Sequence, residues 1–387
     1  MLYGTRGGRR GRRGEVMTSA FGRAFAGRRA LVTGHTGFKG SWLSEWLLGL
    51  GAEVAGYALS PPTEPALFEQ LGLSGRIHHT VADVRDSENV AEAVRRSQPD
   101  FVFHLAAQPL VRLSYEQPVE TFATNVIGTI NVLEAVRRLD SPCVVIVVTT
   151  DKCYLNREWL YGYREDDALG GRDPYSASKA AAEIATAAWR SSFFERSPVR
   201  IATVRAGNVI GGGDWALDRI VPDCMRALQS GQRISVRNRL ATRPWQHVLE
   251  PLGGYLWLAA SIAGTTPLQS DEDRLDSAFN FGPDSDGNRD VGSLVECVLR
   301  HWPGEWVDAS DGNAPHEARF LHLSTDKAAR LLGWRPVWSF DRTIAETVGW
   351  YRDTRGGAAA QVADRTRRQI ASYSADAAAA SLPWASP

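Results

Sequence analysis

The sequence of 387 residues lacks the marks of several large protein classes. Its four cysteines, Cys143, Cys153, Cys224 and Cys297, lie far apart and form no C-x-x-C pair, which favours reduced thiols of a cytoplasmic protein over a disulfide framework or a zinc site. The eight histidines show no H-E-x-x-H or similar spacing, so we expect no metal. A Gly-x-Ser-x-Gly turn, which would indicate a hydrolase, is also absent.

Net charge and long apolar runs are missing as well. Acidic and basic residues balance at 44 each, so no overall field gathers nucleic acid or anionic lipid. There is no run of about 18 apolar residues, and we therefore expect no membrane span. The apolar fraction of 43% is typical of a globular protein with a buried core. A small-molecule ligand is the expected partner.

The N-terminus is the compositionally unusual part of the chain. Arginines and glycines alternate over residues 1–16, but no aromatic residues interleave with them as in an RNA-binding arm, and no apolar secretion segment follows. We expect residues 1–27 to be a disordered extension, or translation to start at Met17.

From Arg29 onward, short apolar runs alternate with helical patterns. Buried strands are predicted at 29–33, 54–59, 101–105 and 144–149, and helices at 39–50, 89–96 and 119–139. This alternation predicts an α/β fold with a Rossmann-type doubly wound parallel sheet over residues 28–210. The glycine- and proline-rich stretch 211–355 is expected to form a smaller mixed α/β substrate-binding region. Residues 356–387 are expected to contain a helix at 361–373 and a frayed tail.

A glycine-rich turn stands between the first predicted strand and the first predicted helix. Glycines at this spacing allow a tight turn, and the following helix N-terminus presents unpaired N–H groups to a pyrophosphate. We therefore predict a dinucleotide site formed by Gly34, His35, Thr36, Gly37, Phe38, Lys39 and Gly40.

The G-x-x-G-x-x-G spacing of this turn resembles the short-chain dehydrogenase/reductase superfamily. That resemblance implies that the Asp83-Val84 pair contacts the adenine and that the cofactor passes the backbone of Leu105, Ala106 and Ala107. The second strand ends in Tyr57-Ala58-Leu59-Ser60, without the usual acidic residue and without an arginine for a 2′-phosphate. We expect NAD as the cofactor.

A second motif, Asp173-Pro174-Tyr175-Ser176-Ala177-Ser178-Lys179, reads as an N-cap, a first-turn proline and a helix. Tyr175 and Lys179 are four residues apart and share one helix face. A free tyrosine keeps its proton up to pH ~10, and a nearby ammonium favours the phenolate. The pair is predicted to take a proton from an alcohol and also to contact the cofactor.

Thr150-Asp151-Lys152 ends the strand that precedes this helix, at the edge where doubly wound folds bind ligands. The triplet resembles the Thr-Asp-Glu of sugar-nucleotide 4,6-dehydratases, with Lys152 in place of Glu. That substitution is similar to the CDP-glucose 4,6-dehydratases, as are four further stretches at 33–42, 61–68, 205–215 and 243–247. The resemblance covers roughly residues 27–373.

The resemblance implies a catalytic role for each of these side chains. Tyr175 and Thr150 would act at the glucose 4-hydroxyl of CDP-glucose, and Asp151 would be the general acid for the departing water. Lys152 would be the base at C5, or it would stay charged and stabilise the enolate; the sequence leaves both open. The product would be the 4-keto-6-deoxy sugar nucleotide, with NAD regenerated.

Other residues match positions that relatives use for binding. Asn208 resembles a diphosphate-contacting asparagine, and Arg219 and Arg243 are candidate cations. Asn280 and the His316-Glu317 pair fall where relatives line the nucleotide pocket, and Asn125 matches an asparagine that supports the active-site helix beside the cofactor. Relatives form a homodimer or homotetramer through two long helices per subunit, here 119–139 and 174–194.

Two rival functions share part of this pattern. A nucleotide-sugar 4-epimerase has the same turn and the same Tyr-x-x-x-Lys pair, but it needs no acid and base for removing water. A non-catalytic NAD-binding scaffold usually lacks the tyrosine or the lysine. A 4,6-dehydratase for another sugar nucleotide also remains open, because no residue that reads the base is identifiable from spacing.

Overall fold

Thirteen strands and the helices between them make up the described part of the chain. The computed structural model describes residues 20–265, 275–310 and 320–385. Numbered in chain order, the strands are β1 Arg29–Thr33, β2 Glu53–Ala58, β3 His78–Val81, β4 Phe101–His104, β5 Cys143–Val148, β6 Val199–Ala206, β7 Val209–Ile210, β8 Ile234–Val236, β9 Thr242–Pro244, β10 Gln246–His247, β11 Ala278–Phe281, β12 Asn288–Asp290 and β13 Trp306–Asp308.

The α-helices lie mostly between successive strands of the main sheet. Short 3-10 turns include Ala20–Arg23, Asp151–Cys153 and Pro383–Ala385. The α-helices are Phe38–Gly49, Leu67–Gln70, Ser87–Ser97, Val111–Glu116, Pro118–Phe122, Gly128–Val136, Pro174–Trp189, Ile220–Gln229, Leu249–Ile262, Val291–His301, Asp326–Leu332, Phe340–Thr354 and Ala359–Ala379.

Seven strands form one parallel sheet in the order β11-β6-β5-β4-β1-β2-β3. The order reverses between β1 and β4, and the crevice at such a reversal is where doubly wound folds bind ligands. The predicted Rossmann-type fold is confirmed. β11 lies outside the predicted 28–210 unit and pairs with β6, so the two predicted regions share one sheet.

Both faces of the sheet are buried, which is why its central strands are continuous apolar runs. In β5, Val144, Ile146 and Val148 contribute to the larger core, whereas Val145 and Val147 face the smaller core on the other side. This alternation follows from the two-residue repeat of a strand. The strand ends are thereby held rigidly at one edge of the sheet.

The predicted helix 119–139 is interrupted. Pro118–Phe122 and Gly128–Val136 are α-helical, but Ala123–Ile127 between them is a π-helical turn that contains the buried Asn125. Such single π-turns occur frequently at functional sites. The expectation of one regular helix was therefore wrong in this turn.

Both chain ends differ from the expectation. Phe21 and Phe25 are buried, so residues 20–27 are packed, while residues 1–19 of the predicted extension lie outside the described residues. The C-terminal helix runs to Ala379, beyond the predicted 373, and the buried Trp384 stacks on Phe21 at 5.0 Å. Aromatic packing between the two ends replaces the predicted frayed tail.

Candidate active site

The glycine-rich turn connects β1 to the Phe38–Gly49 helix. Gly34 has φ +75°, and a Cβ there would lie 2.7 Å from the backbone nitrogen of Ala106. At Gly40 a Cβ would lie 2.2 Å from the Gly34 carbonyl oxygen. A Cβ at Gly37, by contrast, would meet its nearest atom at 3.4 Å. Two glycines are therefore needed for the turn itself, and Gly37 leaves backbone accessible to a ligand.

The helix N-terminus beyond this turn is open. Gly37 is the N-cap and provides no side-chain hydrogen bond, and the first turn of the helix contains no acidic residue. Its backbone N–H groups and the positive end of the helix dipole thus favour a bound anion. The turn and the uncapped helix together have the features of a pyrophosphate site.

His35 and Thr36 turn their side chains away from the helix N-terminus. His35 is fully buried, and its Nε2 lies 2.7 Å from Nδ1 of His79 on β3. Burial, together with the nearby His79, lowers the pKa of His35 to about 4. Thr36 donates to the Leu59 carbonyl at 2.9 Å. The histidine contact joins residues 44 apart, and no local pattern in the sequence indicated it.

The predicted adenine-contacting pair and the 105–107 segment lie along the same edge of the sheet. The Asp83 carboxylate accepts hydrogen bonds from Arg85, which hold its pKa below the usual range, and Val84 is buried. The Thr33 hydroxyl accepts from the Ala106 N–H at 3.2 Å, and Leu105 and Ala107 are half-buried beside it. These residues lie around the switch point between β1 and β4.

Asp151 and Lys152 begin the 3-10 turn that follows β5, and Thr150 is its N-cap. The Thr150 hydroxyl donates to Asp151 Oδ1 at 3.0 Å, and Asp151 is only 2% exposed. Burial raises the pKa of Asp151, and the positive charges of Lys152 and Arg243 only partly oppose this effect. A raised pKa favours the protonated carboxyl group, which is the form that acts as a general acid.

Tyr175 and Lys179 follow on the Pro174–Trp189 helix, which Asp173 caps by accepting from the Ser176 N–H at 2.9 Å. Burial raises the pKa of Tyr175 to about 12, although Thr150 and Arg219 act to lower it. Desolvation thus outweighs the groups that lower this pKa, and the effect of the Lys179 ammonium on Tyr175 stays a prediction. Burial also lowers the pKa of Lys179 to about 8, and its Nζ donates to the Val148 carbonyl at 3.1 Å.

Lysine is scarce in this chain and concentrated at this site. The sequence contains only Lys39, Lys152, Lys179 and Lys327. Burial lowers the pKa of Lys39 to about 8, with Arg219 and Lys179 adding to the effect and Asp151 and Asp214 opposing it. Lys39, predicted as a cofactor residue, therefore interacts with the catalytic side chains.

Both predicted substrate cations interact electrostatically with the predicted catalytic side chains. Arg219 forms an ion pair with Asp214 at 2.9 Å, and its charge also acts on Tyr175. Arg243 donates to the Thr242 carbonyl at 2.9 Å, and its charge acts on Asp151. Asn208 is half-buried in the loop between β6 and β7. Guanidinium groups in this position suit a diphosphate.

Asn280 is fully buried on β11 and is engaged by the protein itself. Its Oδ1 accepts from the Tyr154 hydroxyl at 2.8 Å, and its Nδ2 donates to the carbonyls of Tyr163 and Ser324. Both amide hydrogens are thus used inside the fold. These bonds favour a supporting role for Asn280 over the predicted contact with the nucleotide.

A buried ion pair behind the catalytic side chains was missed in the sequence. Glu183 and Arg205 are 3% and 4% exposed in their side chains and lie 2.9 Å apart. Arg205 belongs to the 205–215 stretch and Glu183 lies four residues after Lys179. The spacing of four residues between Lys179 and Glu183 was a usable signal, because it places Glu183 on the same helix face as Tyr175 and Lys179.

Asn125 connects the cofactor side of the site to the catalytic helix. Its Oδ1 accepts from the Gln108 N–H at 2.8 Å, and its Nδ2 donates to the Gln108 carbonyl and to Ser178 Oγ at 2.9 Å. This geometry agrees with support of the active-site helix. His316 and Glu317, the remaining predicted substrate residues, lie outside the described residues.

Metal-ligand clusters and membrane-spanning helices are both missing from the described ranges. Within residues 20–265, 275–310 and 320–385, no group of three or more His, Cys, Asp and Glu side chains could hold a metal ion. In the same part of the chain, no helix is both long and apolar enough to cross a membrane.

Comparison with known proteins gives close relatives. The family model described as GDP-mannose 4,6 dehydratase matches residues 31–264. The CDP-glucose 4,6-dehydratase of Salmonella typhimurium is 47% identical over 332 residues, which cover 84% of this chain and 91% of that protein.

Solved structures agree with the fold. The UDP-glucose 4-epimerase of Thermus thermophilus in complex with NAD matches with a TM-score of 0.68 and 26% identity, over 84% of this chain and 99% of that one. The dTDP-glucose 4,6-dehydratase of Bacillus anthracis in complex with NAD matches with a TM-score of 0.68 and 19% identity, over 86% and 99% of the two chains. At that identity the second match indicates the fold alone.

Proposed function

Because the chain belongs to the GDP-mannose 4,6-dehydratase family, we propose that it is an NAD-dependent hydro-lyase that converts CDP-D-glucose to CDP-4-dehydro-6-deoxy-D-glucose and water. The proposal rests on two pairs of side chains that lie near the end of β5. Tyr175 and Lys179 form a pair that can oxidise an alcohol, and Asp151 and Lys152 provide an acid and an amine. Oxidation alone needs only the first pair. Removal of water needs the second.

The residues of the glycine-rich turn fit NAD. Cβ atoms are excluded at Gly34 and Gly40, and the helix N-terminus offers uncapped N–H groups to the pyrophosphate. The exposed Leu59 and Ser60 at the end of β2 carry neither a carboxylate nor a cation for a 2′-phosphate, which supports NAD over NADP. NAD held by these residues would supply the hydride acceptor for oxidation at C4 and the hydride donor for reduction at C6.

Tyr175 takes the proton of the 4-hydroxyl in the first step. Tyr175 is 9% exposed and its phenol interacts with Thr150, whose hydroxyl shares the hydrogen bond to the sugar. Lys179 favours the phenolate while it carries its proton. The 4-ketone that results makes the C5 proton acidic.

Asp151 and Lys152 act in the second step, in which the C5 proton and the C6 hydroxyl leave. Asp151 protonates the departing hydroxyl, and its raised pKa keeps that proton available. Lys152 either removes the C5 proton as a neutral amine or stabilises the enolate as a cation. Both roles place its amine at C5, where a proton must return when the hydride enters C6.

The substrate diphosphate is assigned to Asn208, Arg219 and Arg243. The charge of Arg243 acts on Asp151 and that of Arg219 on Tyr175, and both guanidinium groups can pair with phosphate oxygens. His316 and Glu317 are assigned to the nucleotide end on the basis of the family resemblance alone, and Asn280 to support of that end.

Incubation with CDP-, dTDP-, GDP- and UDP-glucose tests the function. A dehydratase lowers the mass of its preferred substrate by one water molecule and forms a 4-keto sugar, with CDP-glucose expected to react fastest. An epimerase leaves the mass unchanged. A scaffold leaves all four substrates intact.

The assembly we propose is a homodimer or homotetramer built on the 118–136 and 174–194 segments. Both segments expose large apolar side chains, which a contact between copies would bury. The exposed residues are Val119, Phe122, Ile127, Ile184 and Phe193. We further place the enzyme in the cytoplasm, in keeping with its four free, buried cysteines.

A further inference from the structure

Glu183 continues the face of the catalytic helix that carries Tyr175 and Lys179. The three residues are spaced four apart, so their side chains lie one above the other. Glu183 is 3% exposed, and the mechanism described above makes no use of it. A carboxylate buried at this position needs partners, because burial of an unpaired charge costs free energy.

Arg205 and two hydroxyl groups hold the Glu183 carboxylate. Arg205 donates from Nε to Oε1 and from Nη2 to Oε2, each at 2.9 Å. Thr203 on β6 donates to Oε2 at 2.7 Å, and Thr149, next to Thr150, donates to Oε1. Burial acts to raise the pKa of Glu183, but Arg205 and these hydroxyls outweigh it and lower the pKa. Glu183 is therefore ionised at neutral pH.

The other side of Arg205 reaches the segment beyond Lys152. Its Nη1 donates to the Tyr154 hydroxyl at 2.7 Å and to the Glu165 carbonyl at 2.9 Å. The Glu183–Arg205 pair thus connects the helix of Tyr175 and Lys179 with the strand end that carries Thr150, Asp151 and Lys152.

The charge of Glu183 acts directly on Lys179. Among the described residues, this amine also interacts with His104 from β4, Lys39 from the first helix and Cys153 from the turn after β5. Burial lowers the pKa of Lys179 to about 8, and Glu183 is the group that raises it most. Without that carboxylate, the ammonium would lose its proton at a lower pH.

We propose that Glu183, clamped by Arg205, is a positioning residue that supplies the negative charge next to Lys179 on the catalytic helix and holds the 149–152 strand end against that helix. The proposal rests on the proposed function, because it assigns the protonated lysine a part in the oxidation at C4. It adds to the Tyr-x-x-x-Lys pair a third member that touches neither substrate nor cofactor.

The pH dependence of turnover tests the proposal. Activity falls as pH rises through the pKa of Lys179, so removal of the Glu183 charge moves the alkaline limb of the kcat profile to lower pH. We expect a shift of about one pH unit in Glu183→Gln, with KM for CDP-glucose within about twofold of the wild type, since Glu183 makes no substrate contact. Glu183→Asp keeps the charge and is expected to restore the limb.

Loss of Glu183 alone leaves Arg205 as an unpaired buried charge, which is strongly destabilising. The double variant Glu183→Gln/Arg205→Met removes both charges. If the single variant does not fold, the same pH profile is measured on the double variant. Glu250→Gln is the matched control. It removes a different buried carboxylate, held by the N–H groups of Val337 and Trp338 and by the Tyr373 hydroxyl, and we expect lower stability with an unchanged pH profile.

A measurement without substrate separates this proposal from the proposed function. With only four lysines, ¹³Cε-labelled lysine gives few NMR signals, and Lys179→Met assigns the signal of Lys179. In the double variant that signal is expected to titrate at lower pH than in the wild type. An unshifted titration overturns the proposal, even if kcat falls. If the wild type does not dehydrate any of the four sugar nucleotides, the function is wrong and the titration still decides the role of Glu183.

Discussion

Substitution of Gly34 and Gly37 separates the two tasks assigned to the glycine-rich turn. Gly34→Ala places a methyl group 2.7 Å from the backbone nitrogen of Ala106, at a residue with φ +75°. The left-handed conformation alone costs about 1–2 kcal/mol for a residue other than glycine, and the backbone clash adds to that cost. We therefore expect Gly34→Ala to lower the free energy of unfolding by at least about 2 kcal/mol.

Gly37→Ala is the matched substitution. Gly37 has φ −81°, and its added methyl group would meet the nearest atom at 3.4 Å, an ordinary contact. Because alanine is a poorer N-cap than glycine, the free energy of unfolding of this variant should fall by no more than about 1 kcal/mol. The methyl group would however stand at the helix N-terminus where we propose that the pyrophosphate binds, so we expect the Kd for NAD to rise at least about tenfold.

Thermal unfolding and calorimetric titration with NAD, both on cofactor-free protein, measure the two effects. The reasoning predicts a stable Gly37→Ala variant with weak NAD binding. If Gly37→Ala binds NAD as tightly as the wild type, the pyrophosphate does not lie at this helix N-terminus. If Gly34→Ala is as stable as the wild type, the turn tolerates a side chain that its geometry excludes.

Three further substitutions test the catalytic and assembly assignments. Lys152→Met should bind substrate and cofactor but lose at least about 100-fold in kcat, the scale of a removed acid or base. The control variant Lys327→Met should keep the wild-type kcat. Equal kcat values of the two variants would refute the role of Lys152. Lys39→Met should raise the KM for CDP-glucose more than the Kd for NAD, because its charge interacts with Lys179 and Asp151. A larger rise in the Kd for NAD than in the KM for CDP-glucose would instead support the predicted role of Lys39 in cofactor binding. Ile184→Asp should dissociate the oligomer in sedimentation, and Leu160→Asp, also on an exposed apolar residue, should not; an intact oligomer in the first variant would refute the proposed interface.

The parts of the site that were predictable from sequence are those whose chemistry is encoded in local spacing. The glycine turn, the Tyr175 and Lys179 pair and the Thr150–Lys152 triplet each lie within a few residues. Strand, turn and helix propensities then place them at one edge of a parallel sheet. Their roles in the reaction came from the family resemblance, since spacing alone does not name a substrate.

The parts that were missed depend on contacts between distant segments. Glu183 meets Arg205 only because β6 lies next to β5, and His35 meets His79 only because β3 lies next to β2. The C-terminal residues looked weakly structured because alanine and polar residues dominate them, yet Trp384 packs on Trp46 with ring centroids 6.2 Å apart. Composition cannot reveal such a partner.

The fate of the C4 hydrogen tests the proposed reaction most directly. CDP-glucose deuterated at C4 is converted by the purified protein, and the position of the label in the product is read by NMR and mass spectrometry. The proposed reaction removes the C4 hydride and returns it to C6 within one site. The deuterium is therefore expected to reappear at C6 of the 4-keto-6-deoxy product. Label that is lost to solvent or that remains at C4 would contradict it.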